Sequence, residues 1–135
     1  MNANEYATLL GLAYSRLYGT GWHWFHYHFF NGPRPFARSI LRACNSINEK
    51  TDNIGTRLLE ELCSIGGRER DLGQYEQLLQ KLSEILVIKR VVGAPWPEGT
   101  IFEHEPVAAP GGPSPEIMVQ CPNERFLIEV KTPLN

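Results

Sequence analysis

Three side chains late in the chain are placed to do chemistry together: Glu116, Glu129 and Lys131. Glu129 and Lys131 fall in Arg125-Phe126-Leu127-Ile128-Glu129-Val130-Lys131-Thr132, whose branched and aromatic residues read as a strand. Period-two alternation puts Phe126, Ile128 and Val130 on one face and Leu127, Glu129 and Lys131 on the other. A carboxylate and an ammonium therefore stand side by side. The run Pro115-Glu116-Ile117-Met118-Val119-Gln120 precedes this strand across Cys121-Pro122-Asn123-Glu124, a hairpin connection that brings Glu116 towards the pair. Two carboxylates and a lysine so arranged suit a hard divalent cation: Glu116 and Glu129 supply oxygen ligands, and Lys131 orients or activates a bound water. The plain alternative is an ion pair ending an exposed strand, which contributes little stability.

The elements that must position these residues follow from hydrophobic spacing. Tyr6, Leu9, Leu10, Ala13, Tyr14 and Leu17 predict a helix over 3–18, stopped by Gly19-Thr20-Gly21. Phe36, Ile40, Leu41, Cys44 and Ile47 predict a second over 36–48. A third starts at Thr51 or Asp52, buries Ile54, Leu58, Leu59, Leu62 and Ile65, and stops at Gly66-Gly67. Glu60 and Glu61 fall between its apolar positions, on the solvated face, and Arg68-Glu69-Arg70-Asp71 is a charged link. The fourth helix, 72–92, carries the stripe Tyr75, Leu78, Leu79, Leu82 and Leu86. Glu84 projects opposite that stripe, a surface position. Ile85, Val87, Ile88, Val91 and Val92 nevertheless make the second half of the helix apolar all round, which sets Glu84 at the edge of a second interface.

A strand over 100–107 follows, with Ile101, Glu103, Glu105 and Val107 on one side and Pro106 confining it to a sheet edge. Glu103 and Glu105 either supplement the acidic site or form an exposed strand face. Pro110-Gly111-Gly112-Pro113-Ser114 then delivers Glu116; without a following lysine and helix start it is not a phosphate-binding loop. The run Trp22-His23-Trp24-Phe25-His26-Tyr27-His28-Phe29-Phe30 cannot turn all its rings one way. His23, His26 and His28 read as members of an aromatic cluster, since no carboxylate or thiolate lies near them in a zinc spacing. Base stacking in a single-strand groove is the lesser reading.

Composition sets the bounds. With 135 residues, 42% hydrophobic and 21% charged, the chain is one globular domain, or one with an extension. A net charge of −2 gives no global basic field to draw in a polyanion. Three scattered cysteines with no C-x-x-C pair suggest neither a disulfide framework nor a zinc site. The start Met1-Asn2-Ala3-Asn4-Glu5 is no signal peptide and no apolar run reaches membrane length, so a cytoplasmic home is expected.

Pro115-Glu116, then Glu129-Val130-Lys131 in a hydrophobic strand, resembles the catalytic signature of the PD-(D/E)XK superfamily of restriction-endonuclease-like nucleases. The likeness spans residues 72–133, whose helix–strand–strand–strand order is similar to the first half of that family's core. Glu116 stands where the family more often has Asp. The helix and strand that complete the family's sheet have no counterpart, and a third reading, beside an enzyme and an interaction module, is that the sequence is an N-terminal piece of a longer chain. The resemblance implies an endonuclease or exonuclease dependent on Mg²⁺ (or Mn²⁺), acting on DNA, with RNA as the other substrate class. Glu116 and Glu129 would bind the metal, Glu116, Glu129 and Lys131 would be catalytic, and Glu84 would be an accessory helix acid.

The expected fold is α+β: about four N-terminal helices, then a small, mainly antiparallel three-stranded sheet. Residues 1–70 form the helical part and residues 71–135 the partial nuclease core. The alternative is a non-catalytic interaction or dimerisation module derived from that fold. A homodimer or larger assembly is expected through the aromatic run and the uncovered edge at 125–131, and no membrane partner.

Overall fold

The computed structural model describes residues 3–18, 25–30, 32–65, 72–106 and 115–132. The helix stop at 19–21, His23, the glycine stop and charged link at 66–71 and the connection at 110–114 lie outside the described residues. Among the described residues five helices come first: α1 Ala3–Tyr18, α2 His26–Phe29, α3 Pro35–Lys50, α4 Ile54–Ser64 and α5 Leu72–Val92. Three strands follow: β1 Ile101–His104, β2 Ile117–Gln120 and β3 Arg125–Ile128. This is the expected α+β arrangement with one helix more. The addition, α2, is a single turn of the aromatic segment, in which Phe29 N–H donates to Phe25 C=O at 2.9 Å.

Pro35 opens α3, where its fixed φ suits the first helical turn and its missing N–H has no partner to lose. The helix packs against α1, α4 and α5. Ile40, Leu41, Ala43, Cys44 and Ile47 meet Leu9, Leu17, Phe25, Phe29, Leu58, Leu59 and Leu62 in one buried cluster. Two rings of the aromatic run are accounted for there, because Phe25 and Phe29 are fully buried. His26 bonds the Leu17 carbonyl at 2.9 Å and stacks on Phe30, the local pairing the sequence suggests. The exposed Tyr27 ring is covered by the Arg34 guanidinium, 4.1 Å from its centroid.

The long helix departs from its predicted stripe. Leu78, Glu84, Ile85, Ile88 and Val92 are buried, whereas Tyr75 and Leu86 are exposed. A helix apolar nearly all round lets packing, not periodicity, choose the buried face. Here α3 and α4 make that choice.

The sheet is antiparallel in the order β1-β2-β3, with His104 opposite Ile117 and Ile117 opposite Ile128. Pro106 thus follows an edge strand, as its missing donor requires. Ile117 enters the helical core, and Phe102 and Ile128 pack against it. Trp96 pins the loop after α5 by donating to Val91 C=O at 2.6 Å and resting its ring 5.6 Å from that of Phe126. The third strand is shorter than expected and ends before Glu129. Its continuation is diverted because Val130 N–H donates to the Glu116 side chain at 2.6 Å instead of to a backbone carbonyl. Among the described residues, no helix is long and apolar enough to cross a membrane.

The α3–α4 crossing depends on Gly55. A Cβ there would stand 1.9 Å from Cys44 O. Gly55→Ala should therefore lower stability by at least about 2 kcal/mol, because backbone must move. Gly11→Ala, with nothing within 4 Å, should raise it by about 0.5–1 kcal/mol through helix propensity. Urea denaturation of the two variants should shift in opposite directions.

Candidate functional site

Lys81 and Glu84 lie one turn apart on α5 and face the gap between α4 and the sheet. Lys81 Nζ donates to Glu84 Oε2 at 2.8 Å and to Glu61 Oε2 on α4 at 2.5 Å. Glu84 Oε1 lies 3.3 Å from His104 Nε2 on β1. Glu84 is only 8% exposed, and the His104 side chain 3%. Burial alone would push the Glu84 carboxyl up. The hydrogen bonds from His104 and Lys81 and the Lys81 charge outweigh it and hold the group below its ordinary range. Burial likewise pulls Lys81 down, but bonds to Glu61 and Glu84 leave it above the usual lysine value. Both groups are thus held in their charged forms.

Glu105 joins this group through an unusual backbone. In a regular strand consecutive side chains point to opposite faces, so His104 and Glu105 would diverge. Glu105 instead has φ +49°, in the left-handed region that costs a non-glycine residue about 1 kcal/mol or more. Its carboxylate comes 3.8 Å from His104 Nε2 while its N–H still donates to Glu116 C=O at 2.8 Å. Glu61, Glu84, His104 and Glu105 then offer ligand atoms that all lie within 4.8 Å of one another. An octahedral ion about 2.1 Å from its ligands wants neighbouring donors about 3 Å apart and opposite ones about 4.2 Å apart. The group is slightly wider than that, within the reach of glutamate side chains, and it could hold a metal ion. Three carboxylates with one imidazole suit Mn²⁺ at least as well as Mg²⁺.

Beside this group a cleft of about 600 Å³ is lined by Gln77, Gln80, Lys81, Glu84, Glu116, Val130, Lys131 and Thr132, with Ile65 at its side. Of the four residues nominated from sequence, Glu84, Glu116 and Lys131 line this one space. Glu129 does not; it is exposed just past the end of β3. On the β1–β2 side the pairing continues one step past His104–Ile117, since Glu105 N–H donates to Glu116 C=O at 2.8 Å and sets Glu105 beside Glu116 at the sheet's end. On the β2–β3 side Glu116 N–H donates to Ile128 C=O at 3.0 Å, so the ladder does not run on to pair Glu116 with Glu129. Glu84 is common to the cleft and to the four-residue donor group.

Three participants escaped the sequence reading. Glu61 was assigned to the solvated face of its helix, yet the α4–α5 contact turns it towards Lys81. Lys81 drew no notice beside Glu84. His104 carried a usable signal, because it shares strand parity with Phe102 and so had to point into the core. Cysteine chemistry has no place here: Cys44, Cys63 and Cys121 are buried and free, and burial pushes the Cys44 and Cys63 thiols up to about 12.

No family model, no curated protein and no solved structure matches this chain.

Because the folded Glu84 pKa is depressed, the unfolded chain binds more protons between the two values. Stability from this carboxylate is complete above the unfolded glutamate pKa of about 4.3 and is lost as pH falls through the lower folded value. Glu84→Gln should therefore flatten the acid limb of a stability–pH profile measured by urea midpoints. A limb as steep as that of the wild type would assign acid sensitivity to other carboxylates.

Proposed function

We propose that this chain supports metal-dependent hydrolysis of phosphodiester bonds, in DNA ahead of RNA, at the cleft between α5 and the end of the sheet. The observation that carries the reading is the meeting of Glu84, Glu116 and Lys131 around one cleft. They come from a helix, the residue just before one strand and the segment just past the next, the order in which the PD-(D/E)XK signature places its residues. Glu105, whose N–H donates to the Glu116 carbonyl, adds an acid at the same end of the sheet. Glu84 and Glu116, with Glu61, His104 and Glu105 behind Glu84, would hold a divalent cation, Mg²⁺ or Mn²⁺. When bound, such an ion supplies Lewis acidity to a phosphate oxygen and lowers the pKa of a water. Glu116 is fixed for its task by the Val130 N–H on Oε2. Lys131 would orient the attacking water or stabilise charge developing on the phosphate.

A second reading is favoured by a separate observation. Ile101 and Leu127, 60% and 49% exposed, lie on the sheet face turned away from the helices, and among the described residues β3 has no outer neighbour. A non-catalytic module that forms a homodimer through this edge or face would bury them.

One assay separates the two. Supercoiled plasmid should be nicked in Mg²⁺ or Mn²⁺ and not in EDTA. Lys131→Ala and Glu116→Gln should each lower the rate by about 100-fold or more with the circular dichroism unchanged. Equal residual nicking by wild type and Lys131→Ala would place the activity elsewhere. No nicking by the folded wild type would leave the interaction module as the account.

A further inference from the structure

Lys81 bridges two of the four side chains that could hold a divalent cation. Its Nζ is 2.5 Å from Glu61 Oε2 and 2.8 Å from Glu84 Oε2. Those two carboxylates, with His104 and Glu105, are the donors that converge within 4.8 Å. Three carboxylates at such spacing repel one another unless a cation sits among them. A lysine one helical turn before Glu84 is a tethered cation, present at high effective concentration and never lost to solvent. An ammonium and a metal ion cannot share the same two oxygens, because their own repulsion at about 3 Å would be severe. One must leave. Lys81 has somewhere to go, since it also lines the 600 Å³ cleft that contains Lys131.

We infer that Lys81 is an exchangeable resident counter-ion. It holds Glu61 and Glu84 together in the metal-free protein, a divalent cation displaces it, and the released ammonium turns into the cleft beside Lys131. This rests on the reading of the cleft as a metal-dependent site. Two consequences follow. Metal affinity in the wild type is weakened by the competing ammonium. Metal binding in turn frees a second positive charge for a phosphodiester, so the two ligands reinforce each other.

The test uses Mn²⁺ alone on the full chain, with free Mn²⁺ followed by its paramagnetic resonance signal. Lys81→Gln should bind Mn²⁺ ten-fold or more tightly than wild type, and adding Glu84→Gln should abolish that binding. Equal or weaker binding by Lys81→Gln would overturn the inference. A readout on the wild type covers the case in which that variant fails to fold. Acetic anhydride labelling of Lys81, followed by mass spectrometry, should rise several-fold at saturating Mn²⁺, and an unchanged labelling rate would count equally against displacement. Absence of Mn²⁺ binding in both proteins would remove the metal site itself and this inference with it. Tighter Mn²⁺ binding by Lys81→Gln, with no plasmid nicking by wild type, would keep the role of Lys81 and discard the nuclease reading.

Discussion

A carboxylate buried between a helix and a sheet must be paired, and Glu84 sets that requirement for this molecule. Removing one charge from water costs several kcal/mol, a cost offset only by good partners. Three elements contribute them: Lys81 from α5, Glu61 through Lys81 from α4, and His104 from β1. The demand also fixes how the sheet sits. Apolar contact through Phe102, Ile117 and Ile128 would tolerate sliding. A slip of one residue in β1, however, would turn His104 outward and leave Glu84 Oε1 without its partner. Packing brings the layers together, and the polar node chooses the register.

Charge at the cleft is arranged against the grain of the whole chain. A net charge of −2 gives no long-range pull on a polyanion. The two lysines on the cleft wall act only at short range, inside a Debye length of about 8 Å at physiological salt. A substrate phosphate would therefore be recognised after arrival, by local geometry.

The helices were legible because amphipathic spacing is local information. α1, α3 and α5 fall within about two residues of the predicted limits, and α4 starts just past its expected caps. The small α2 was not legible, since a run of rings has no 3.6-residue period to read. Nor was the buried face of α5, where apolar residues surround the axis and only α3 and α4 decide. For the site, Glu84, Glu116 and Lys131 came from a short motif whose residues lie near element ends. Glu61 and Lys81 depend on how α4 and α5 pack, twenty residues apart in sequence. Glu105 was offered with Glu103 as a supplement to the acidic site, and the left-handed backbone that brings only Glu105 into it is not announced by any glutamate. The placement of Glu129 past the ladder follows from a side chain, that of Glu116, taking over a backbone bond.

The ion pair between α4 and α5 also bears on how the layers could assemble. Its members belong to the helical part, where contacts are dense, while none of the main helix contacts involves a strand. Helices meeting first would bring Glu61 and Glu84 together, and without Lys81 the growing bundle would be pushed apart. With it, the acids are neutralised before β1 exists as a strand. Docking of the sheet then dehydrates Glu84 and supplies His104 as the last partner. Were sheet docking late, weakening the His104 contact would speed unfolding far more than it slows folding. The molecule would open from its strand end, the end that carries the acids.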